Sequence, residues 1–500
     1  MDWPTFISFV AYLVAMLALG VRFWSSGQTQ EGYLLGDRKL GSWVTAISAE
    51  ASDMSGWLLL ALPGTVYLHG PSEGWIAIGL IVGTYLNWRL VAARLRVYTE
   101  QTGTLTLPAF LARRFGDRTG LIQGLAAGLI VLFFTIYSAS GMVATGRLLE
   151  SVFGLPYRWA VLLGGGVVIA YTFLGGYLAV CWTDLFQGML IIVTLVLLPF
   201  FAFQKAGGVE GIMSAMAARN LNPGLIPIGK GLPVLAVLSS AAWGLGYFGQ
   251  PHILARFMSI RSVGELRRSI RIAMVWVTIA LSAAVIIGLI GIGLFADLPT
   301  GGHEKVTIYL IQEVTSRYVQ GILLAAILAA IMSTIDSQLL VSASSLSEDI
   351  YCRFFRRDSG LRYVGLVSRI SVICIAIVAI ILAMPKDSLI LQIVAYAWAG
   401  FGATFGPVIL FALFCRDTTY PAVCAGMVAG AATVIIWRNC GLGTIMYEIV
   451  PGFLANCLLI GLINLFCKQK DPEILDTFDQ VTRMVRNKRD SKPQPTSQVV

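Results

Sequence analysis

The stretch SAEASDMSGWLLLALPG, residues 48–64, decides the fold of this chain because it places charges and helix breakers inside a long apolar run. Glu50 and Asp53 are carboxylates, Gly56 lies in mid-stretch and Pro63 stands near its end. Glycine weakens a helix and proline removes a backbone donor, so we do not expect one unbroken helix here. Inside a membrane, a charged side chain costs several kcal/mol unless it is paired or faces water, so these carboxylates indicate a functional site.

The composition of the whole chain predicts an all-α polytopic membrane protein. Hydrophobic residues make up 57% and charged residues 13% of the 500 residues, and the mean hydropathy is +0.77. Soluble proteins average about 25% charged residues, so this chain has too few charges to cover the surfaces of several soluble domains. Runs of about 20 apolar residues cross a bilayer. About thirteen such spans lie near 5–24, 42–68, 73–92, 121–145, 158–178, 185–204, 231–249, 270–296, 319–342, 363–384, 389–414, 421–438 and 450–468.

The distribution of basic residues predicts the orientation of these spans. Most of the 36 Lys and Arg residues lie in the loops after odd-numbered spans and in the tail, 469–500. By the positive-inside rule, the N-terminus lies outside and the tail is cytoplasmic and partly disordered. The net charge of +9 therefore implies no nucleic acid. We expect Arg94, Arg96, Arg113 and Arg114 to face anionic lipid headgroups.

Two spans are interrupted at corresponding positions of the two halves. Span 2 holds the stretch quoted above, and span 7 ends in WGLGYFGQP, with Gly244, Gly246 and Gly249 ahead of Pro251. Unwound backbone at membrane depth needs protein or a watery cavity to satisfy it. A pair of interrupted segments of this kind indicates the binding site of a transporter.

The count of spans predicts an inverted repeat within a transmembrane unit covering 1–468. Spans 2–6 and spans 7–11 each contain five crossings, and because five is odd the second set starts from the opposite side of the membrane. The predicted units are an extra N-terminal helix, two repeats and two extra C-terminal helices: 5–24, 42–204, 231–414 and 421–468.

Span 9 carries a face of oxygen donors in LAAIMSTIDSQLL. Ala330, Ser333 and Thr334 are spaced i, i+3 and i+4, so they share one face of a helix. Ala51 and Met54 of span 2 are also three apart, and their carbonyls point the same way if the helix unwinds. Hydroxyls and freed carbonyls suit a small hard cation such as Na⁺, although serine and threonine in spans also bond back to their own helix.

Aromatic residues lie beside the breaks, away from the membrane interfaces where they are usually enriched. They are Trp57, Tyr137, Trp243 and Tyr247. Aromatic walls with a few backbone dipoles suit a small zwitterion that carries an apolar ring. The motif GLGYFG, 244–249, is flanked by membrane spans and lacks the strand that a dinucleotide site requires. We therefore expect no enzyme and no bound cofactor.

From about residue 5 to residue 468 the chain resembles the sodium/solute symporter family, and within it the proline-transporting members. The stretches that carry the resemblance include SAEASDMSGWLLLALPG, NWRLVAARLRVYTE, LFFTIYSASG, WGLGYFGQPHILARFM, LAAIMSTIDSQLLV and YAWAGFGATFGPVILF. The resemblance implies an inverted repeat of the leucine-transporter type with discontinuous helices 2 and 7. It also implies sodium-coupled import of L-proline by alternating access across a bacterial cytoplasmic membrane, with no obligate protein partner.

The resemblance also implies roles for individual residues. The cation site comprises the carbonyls of Ala51, Met54 and Ala330 and the hydroxyls of Ser333 and Thr334, with Asp53 required for high-affinity use of sodium. The residues that adjoin, line or gate the proline pocket are Ser55, Gly56, Trp57, Tyr137, Trp243, Tyr247 and Pro251. The positions linked to coupling are Arg38 and Asp184.

Two positions depart from the family pattern, which has small residues where this chain has Glu50 and Asp336. Glu50 lies three residues before Asp53, so the two carboxylates either share a proton or repel one another. Both positions leave open whether H⁺ takes part in coupling. Another small amino or organic acid remains an alternative substrate, and a transporter-like sensor is a remote alternative because the tail is too short for a kinase domain.

Overall fold

The computed structural model describes residues 3–23, 29–174, 176–226, 233–299, 302–355 and 361–490, and helices account for its regular structure apart from one bridge between Leu40 and Ile260. The predicted disordered end, 491–500, lies outside the described residues. The helices of the first half are α1 Trp3–Phe23, α2 Gln30–Leu35, α3 Ser42–Asp53, α4 Leu62–His69, α5 Gly74–Thr102, α6 Leu107–Phe115, α7 Leu121–Phe153, α8 Tyr157–Leu174, α9 Tyr177–Ala202 and α10 Gly208–Ala218. Those of the second half are α11 Pro233–Ala241, α12 Pro251–Ser259, α13 Leu266–Leu294, α14 Val306–Val314, α15 Arg317–Ser344, α16 Leu361–Ala383, α17 Ile390–Phe414, α18 Tyr420–Asn439, α19 Ile449–Phe466 and α20 Pro472–Asp490.

Ten helices in the described part of the chain are long and apolar enough to cross a membrane. Three shorter apolar helices occupy Trp57–His69, Tyr157–Ala170 and Pro233–Gly249. Two of these three belong to the spans that contain the predicted breaks, since a helix interrupted by glycine, serine and proline cannot run the full thickness of a bilayer without a turn. The chain is therefore a multi-pass membrane protein.

The first break follows Asp53, the last residue of α3. Met54 takes ψ 72°, which turns its carbonyl away from the helical direction, and the Ser55 amide bonds to the Asp53 carbonyl at 2.9 Å. Helical structure resumes in a wide turn, Trp57–Ala61, that continues into α4. Gly56 is required there because a Cβ at this position would lie 2.8 Å from Ala144 Cβ.

The second break is a 3₁₀ segment, Ala242–Gly249, called here the glycine segment, between α11 and α12. Gln250 is extended, and Pro251 starts α12 where its missing amide proton is not needed. The glycine segment lies directly on α5, where Gly79 and Gly83 face Gly244 backbone to backbone without room for a side chain on either element.

The helices between and after the breaks pack into one bundle. α3 packs against α9 and α13, the glycine segment packs against α5 and α17, and α15 packs against α7, α9 and α1. The last two spans, α18 and α19, pack on one another and on α17. This arrangement brings both breaks to the interior, where α15 and α17 cover them.

Two of the four arginines that we expected at lipid headgroups are buried instead. Arg96 bonds to the Ile260 carbonyl at 2.6 Å and Arg114 bonds to the Ala412 carbonyl at 2.8 Å, and both side chains are almost fully excluded from solvent. A guanidinium satisfies several carbonyls at helix ends, so these residues tie the ends of neighbouring helices together. Arg94 is half-buried and bonds to the Leu413 carbonyl at 2.7 Å, whereas Arg113 is exposed.

The tail forms a helix, α20, over Pro472–Asp490, and this helix docks on the bundle. α20 buries Phe478, Val481 and Val485 against the bundle, and its Asp479 accepts two hydrogen bonds from Arg416. An amphipathic helix with such an apolar face is stabilised by packing rather than by its own hydrogen bonds.

Candidate functional site

The end of α3 and the middle of α15 meet through Ser333. Its hydroxyl donates to the Ala51 carbonyl at 2.8 Å and lies 3.1 Å from the Ala330 carbonyl, while the Thr334 hydroxyl lies 3.2 Å from that same carbonyl. All four residues are buried. The structure therefore brings together four of the five predicted oxygen ligands for a cation.

These oxygens belong to two carbonyls and two hydroxyls that lie within hydrogen-bond distance of one another. Ser333 carries one hydroxyl proton and approaches two carbonyl oxygens, so it satisfies one of them at a time. Such a cluster of neutral, electron-rich oxygens fits a small hard cation. The fifth predicted ligand, the Met54 carbonyl, lies at the break and is turned out of the helix.

Asp53 connects the two breaks. It is fully buried, and its Oδ2 accepts a hydrogen bond from the Tyr247 hydroxyl at 2.6 Å. Its backbone carbonyl accepts from Trp57 Nε1 at 3.1 Å and from the Tyr137 hydroxyl at 3.4 Å. Among the described residues its Oδ1 has no hydrogen-bond partner. The Asp53 carboxylate thus faces the glycine segment, while its carbonyl faces two of the predicted pocket aromatics.

An aromatic cluster surrounds the glycine segment. The ring of Trp243 lies 6.3 Å from Trp57, 6.4 Å from Trp398 and 5.3 Å from Tyr447, and Trp398 meets the edge of Tyr247 at 5.2 Å. Trp398 Nε1 also donates to the Trp243 carbonyl at 2.7 Å. Sequence reasoning missed Trp398 and Tyr447, although a tryptophan among small residues in mid-span, as in YAWAG, was an available signal.

The other predicted pocket residues divide between this cluster and a second place. Ser55 and Gly56 are buried in the break itself, where the Ser55 hydroxyl accepts from the Trp57 amide at 3.4 Å. Pro251 starts α12 and lines a separate small cavity with Tyr177 and Leu340. Pro251 therefore lies beside the break without joining the aromatic cluster.

Glu50 bonds to α5 rather than to Asp53. Its Oε1 accepts from Trp88 Nε1 at 2.9 Å, and its Oε2 has no hydrogen-bond partner among the described residues. Asp336 is buried on α15, two residues beyond Thr334. Glu50 and Asp336 therefore lie on different helices of the bundle.

Asp184 belongs to a buried ion pair that sequence reasoning did not identify. Arg256 on α12 donates from Nη2 to Asp184 Oδ2 at 3.0 Å, and Ser48 donates to the same oxygen at 2.6 Å. Both members of the pair are fully excluded from solvent. The signal was a single arginine within the apolar stretch HILARFM, since a buried charge requires a partner.

Arg38 lies away from the oxygen cluster, at the end of the bundle where α5 ends. It bonds to Glu31 at 2.8 Å, to the Met258 carbonyl at 2.9 Å and to the Thr104 carbonyl at 2.8 Å. Burial lowers the pKa of its guanidinium, against the effect of Glu31. Its backbone has φ 51°, a strained value that the surrounding hydrogen bonds hold in place.

Comparisons with known proteins match this chain to one transporter family over most of its length. The model of the sodium:solute symporter family matches residues 33–430. The high-affinity proline transporter of Bacillus subtilis (strain 168) is 44% identical over 467 residues, which cover 93% of this chain and 98% of that protein. The sodium/proline symporter of Escherichia coli (strain K12) is 45% identical over 473 residues, which cover 93% of each chain.

A solved structure shares the fold over almost the whole chain. The substrate-bound, outward-open state of a Na⁺-coupled sialic acid symporter superimposes with a TM-score of 0.79, covers 94% of this chain and 99% of its own, and is 19% identical in sequence. The family match and the identity to the curated relatives show that the chain belongs to the sodium:solute symporter family.

Proposed function

We propose that this protein imports L-proline by sodium-coupled secondary active transport. The observation that carries the proposal is the hydrogen bond from Ser333 to the Ala51 carbonyl, which joins the broken end of α3 to α15 in a cluster of cation ligands. The relatives at 44% and 45% identity are proline transporters, one of them sodium-coupled by name. The protein is a transporter and not an enzyme, and Na⁺ is its co-transported ion.

The architecture proposed for this function has thirteen spans and a five-plus-five inverted repeat. This number is supported by the ten long apolar helices and three shorter apolar helices in the described part of the chain. α3 packs on α9 and α13, and the glycine segment packs on α17 and α5. α7 packs on α8 and α16, and α15 packs on α16 and α8. Spans 2–6 are α3, α5, α7, α8 and α9, and their counterparts, spans 7–11, are the glycine segment, α13, α15, α16 and α17. When each helix is replaced by its counterpart, each of these contacts becomes another contact of the same set, as expected of an inverted repeat.

We assign the cation to the carbonyls of Ala51, Met54 and Ala330 and the hydroxyls of Ser333 and Thr334. These ligands come from α15, from the end of α3 and from the break that follows it, so the ion holds these elements together when it binds. Asp53 acts from the edge of this site, since its carboxylate is bonded to Tyr247 rather than to a ligand.

We assign proline to the space bounded by the break at Ser55 and Gly56 and by the aromatic cluster. The pyrrolidine ring packs against Trp57, Trp243 and Tyr137, while backbone groups freed by the two breaks bind its charged ends. Trp398 closes this space on the side of α17, because it contacts both Trp243 and Tyr247.

Coupling follows from differential affinity. Sodium between α3 and α15 favours the conformation that binds proline, and alternating access then exposes both to the cytoplasm. One positive charge moving through 100 mV supplies about 2.3 kcal/mol, which supports accumulation on the order of 40-fold from the membrane potential alone. We place the protein in the cytoplasmic membrane with its N-terminus outside and exposed Arg113 at the anionic inner leaflet.

The proposal is tested by uptake of labelled L-proline into proteoliposomes under an inward Na⁺ gradient, beside a K⁺ control. Wild type is expected to accumulate proline only with Na⁺, and Asp53→Asn to lose most of this uptake. Competition with other amino and organic acids then measures specificity. Accumulation with a proton gradient alone would overturn sodium coupling, and a folded protein that takes up no proline under any gradient would refute the substrate.

A further inference from the structure

The guanidinium of Arg256 is the centre of a buried network that joins four helices. It donates from Nε to the Ser48 hydroxyl at 3.1 Å and from Nη2 to the Ser337 hydroxyl at 2.6 Å. It also pairs with Asp184 and bonds through Nη1 to the His252 carbonyl at 3.0 Å. Ser48, Asp184 and Ser337 belong to α3, α9 and α15, and Arg256 itself is on α12. A single side chain therefore holds both interrupted spans against α9 and α15.

This network lies one helical turn from the proposed sodium ligands on both helices that supply them. Ser48 is three residues before Ala51 on α3, and Ser337 is four residues after Ser333 on α15. Residues three and four apart share a helix face and differ by about 5 Å along the axis. The hydrogen bonds from Arg256 to Ser48 and to Ser337, called here its two arms, thus bridge α3 and α15. The Ser333 hydrogen bond bridges the same pair of helices.

A guanidinium suits this task because its donors have a fixed planar arrangement and its charge is permanent. Asp184 fixes the plane, and Tyr177 covers it with its ring centre 5.5 Å from the Arg256 carbon. The positions of Ser48 and Ser337 relative to each other are then set by the fork of donors. The spacing of Ala51 and Ser333, one turn away, follows from theirs because both helices are continuous between these residues.

We infer that Arg256 is a positioning residue of the sodium site, which sets the sodium affinity by holding the α3 and α15 ligands at binding distance through Ser48 and Ser337. This inference rests on the proposed function and names a residue that acts on the ion without touching it. It predicts that weakening either arm lowers the affinity for sodium and leaves the proline pocket unchanged.

The first test removes one arm at a time, with Ser48→Ala and Ser337→Ala, and Thr194→Ala as the control. Thr194 is a fully buried hydroxyl on α9 outside the network. Sodium binding is measured without proline, by Na⁺ titration of tryptophan fluorescence in nanodiscs with K⁺ as the reference, and proline KM is measured at saturating Na⁺. Ser337→Ala is expected to raise the Na⁺ concentration for half-saturation roughly fivefold, the equivalent of one hydrogen bond. Ser48→Ala is expected to raise it at least as much, because it also removes the bond to Asp184. Proline KM should stay within about twofold in both variants.

The second test is a double-mutant cycle. Arg256→Lys keeps the charge and loses the fork, so it is expected to weaken sodium binding more than either serine variant. In that background Ser337→Ala should add little, because its partner is already lost. Any of three results would overturn the inference. Ser337→Ala could weaken sodium binding a further fivefold in the Arg256→Lys background, or Thr194→Ala could weaken it as much as the serine variants do. The third result is a proline KM that changes as much as the Na⁺ concentration for half-saturation.

The proposed function and the inference about Arg256 are refuted by different results. If wild type binds Na⁺ and the serine variants bind it more weakly, but wild type takes up no proline, the proposed substrate is wrong and Arg256 keeps its role. If uptake is sodium-coupled and the serine variants bind Na⁺ like wild type, the role of Arg256 is refuted alone. Should Arg256→Lys fail to fold, the serine variants still decide.

Discussion

At the scale of single residues, one hydrogen bond connects the two interruptions of the bundle. Asp53 is the last residue of α3, and Tyr247 lies within the glycine segment, so their 2.6 Å bond joins elements that are far apart in the chain. Asp53 Oδ1 has no hydrogen-bond partner among the described residues. Tyr247 is therefore the side chain that satisfies this buried carboxylate.

Tyr247→Phe is expected to reduce proline uptake because it leaves the Asp53 carboxylate buried without a hydrogen bond. A hydrogen bond to a charged group contributes about 1.5–3 kcal/mol, so we expect Vmax/KM for proline to fall by about tenfold or more. Tyr85→Phe serves as the control, since Tyr85 is 46% exposed on α5. A Tyr247→Phe variant with wild-type kinetics would contradict this role.

Gly246→Ala is expected to impair transport because the new methyl group would collide with the indole of Trp398, starting at its Nε1. Trp398 must then move, and its bond to the Trp243 carbonyl is lost. Gly128→Ala on α7 is the matched control, since a Cβ there meets nothing within 4 Å and alanine favours the helix. The two variants are compared by proline KM and by thermal unfolding. Equal behaviour would refute the proposed contact.

At the scale of elements, α20 is held by an apolar face and by exposed ion pairs. Phe478, Val481 and Val485 are buried, and Arg416 binds both carboxylate oxygens of Asp479 at 3.0–3.2 Å. Arg114 lies 4.8 Å from the centre of the Phe478 ring. The helix covers a cavity of about 320 Å³ beside the ends of α5 and α6. Docking thus combines apolar burial with ion pairs to the loop after α17.

Arg416→Asp is expected to release α20, and the exchange Arg416→Asp with Asp479→Arg to restore its docking, as measured by limited proteolysis of the tail. Salt should promote cleavage of wild type because both members of the pair are nearly half exposed. The bond from Arg416 lowers the pKa of Asp479. The contribution of this pair is therefore present above the ordinary Asp pKa of about 3.9 and is lost as the pH falls through the lowered value. Cleavage that is unchanged in the single variant would contradict this role of the pair.

At the scale of the whole molecule, the two halves of the bundle meet at the proposed sodium site. In the proposed inverted repeat, α3 belongs to the first unit and α15 to the second, so an ion bound between them would stabilise the folded bundle as well as one conformation of it. A ligand present at 100 times its Kd stabilises the state that binds it by about 2.7 kcal/mol.

Wild type is therefore expected to unfold at a higher temperature in Na⁺ than in K⁺ of the same ionic strength. Ser333→Ala removes the hydroxyl that bridges Ala51 and Ala330, so the difference between the two salts should shrink or disappear. Ser342→Ala, which removes a buried hydroxyl further along α15, should keep it. A sodium effect that persists fully in Ser333→Ala would place the ion elsewhere.

Part of the geometry of the candidate site was predictable because its residues are close in sequence. Ser333 and Thr334 lie one turn from Ala330, and a helical period is enough to place them on one face. The interruption after Asp53 was predictable from Gly56 and Pro63. The partners across the bundle were not: Arg256 with Asp184, Trp88 with Glu50, and Tyr247 with Asp53 join different spans, and no local spacing relates them.

By itself, the sequence determined the all-helical membrane class and the helix end at Asp53, because hydropathy over about 20 residues and the backbone freedom of a nearby glycine are local properties. Only the tertiary structure decided that Arg96 and Arg114 point inward, that Trp398 joins the aromatic cluster and that α20 docks on the bundle. The reason is physical. A buried charge or ring takes its partner from whichever helix packs beside it, and that neighbour is set by the folding of the whole chain.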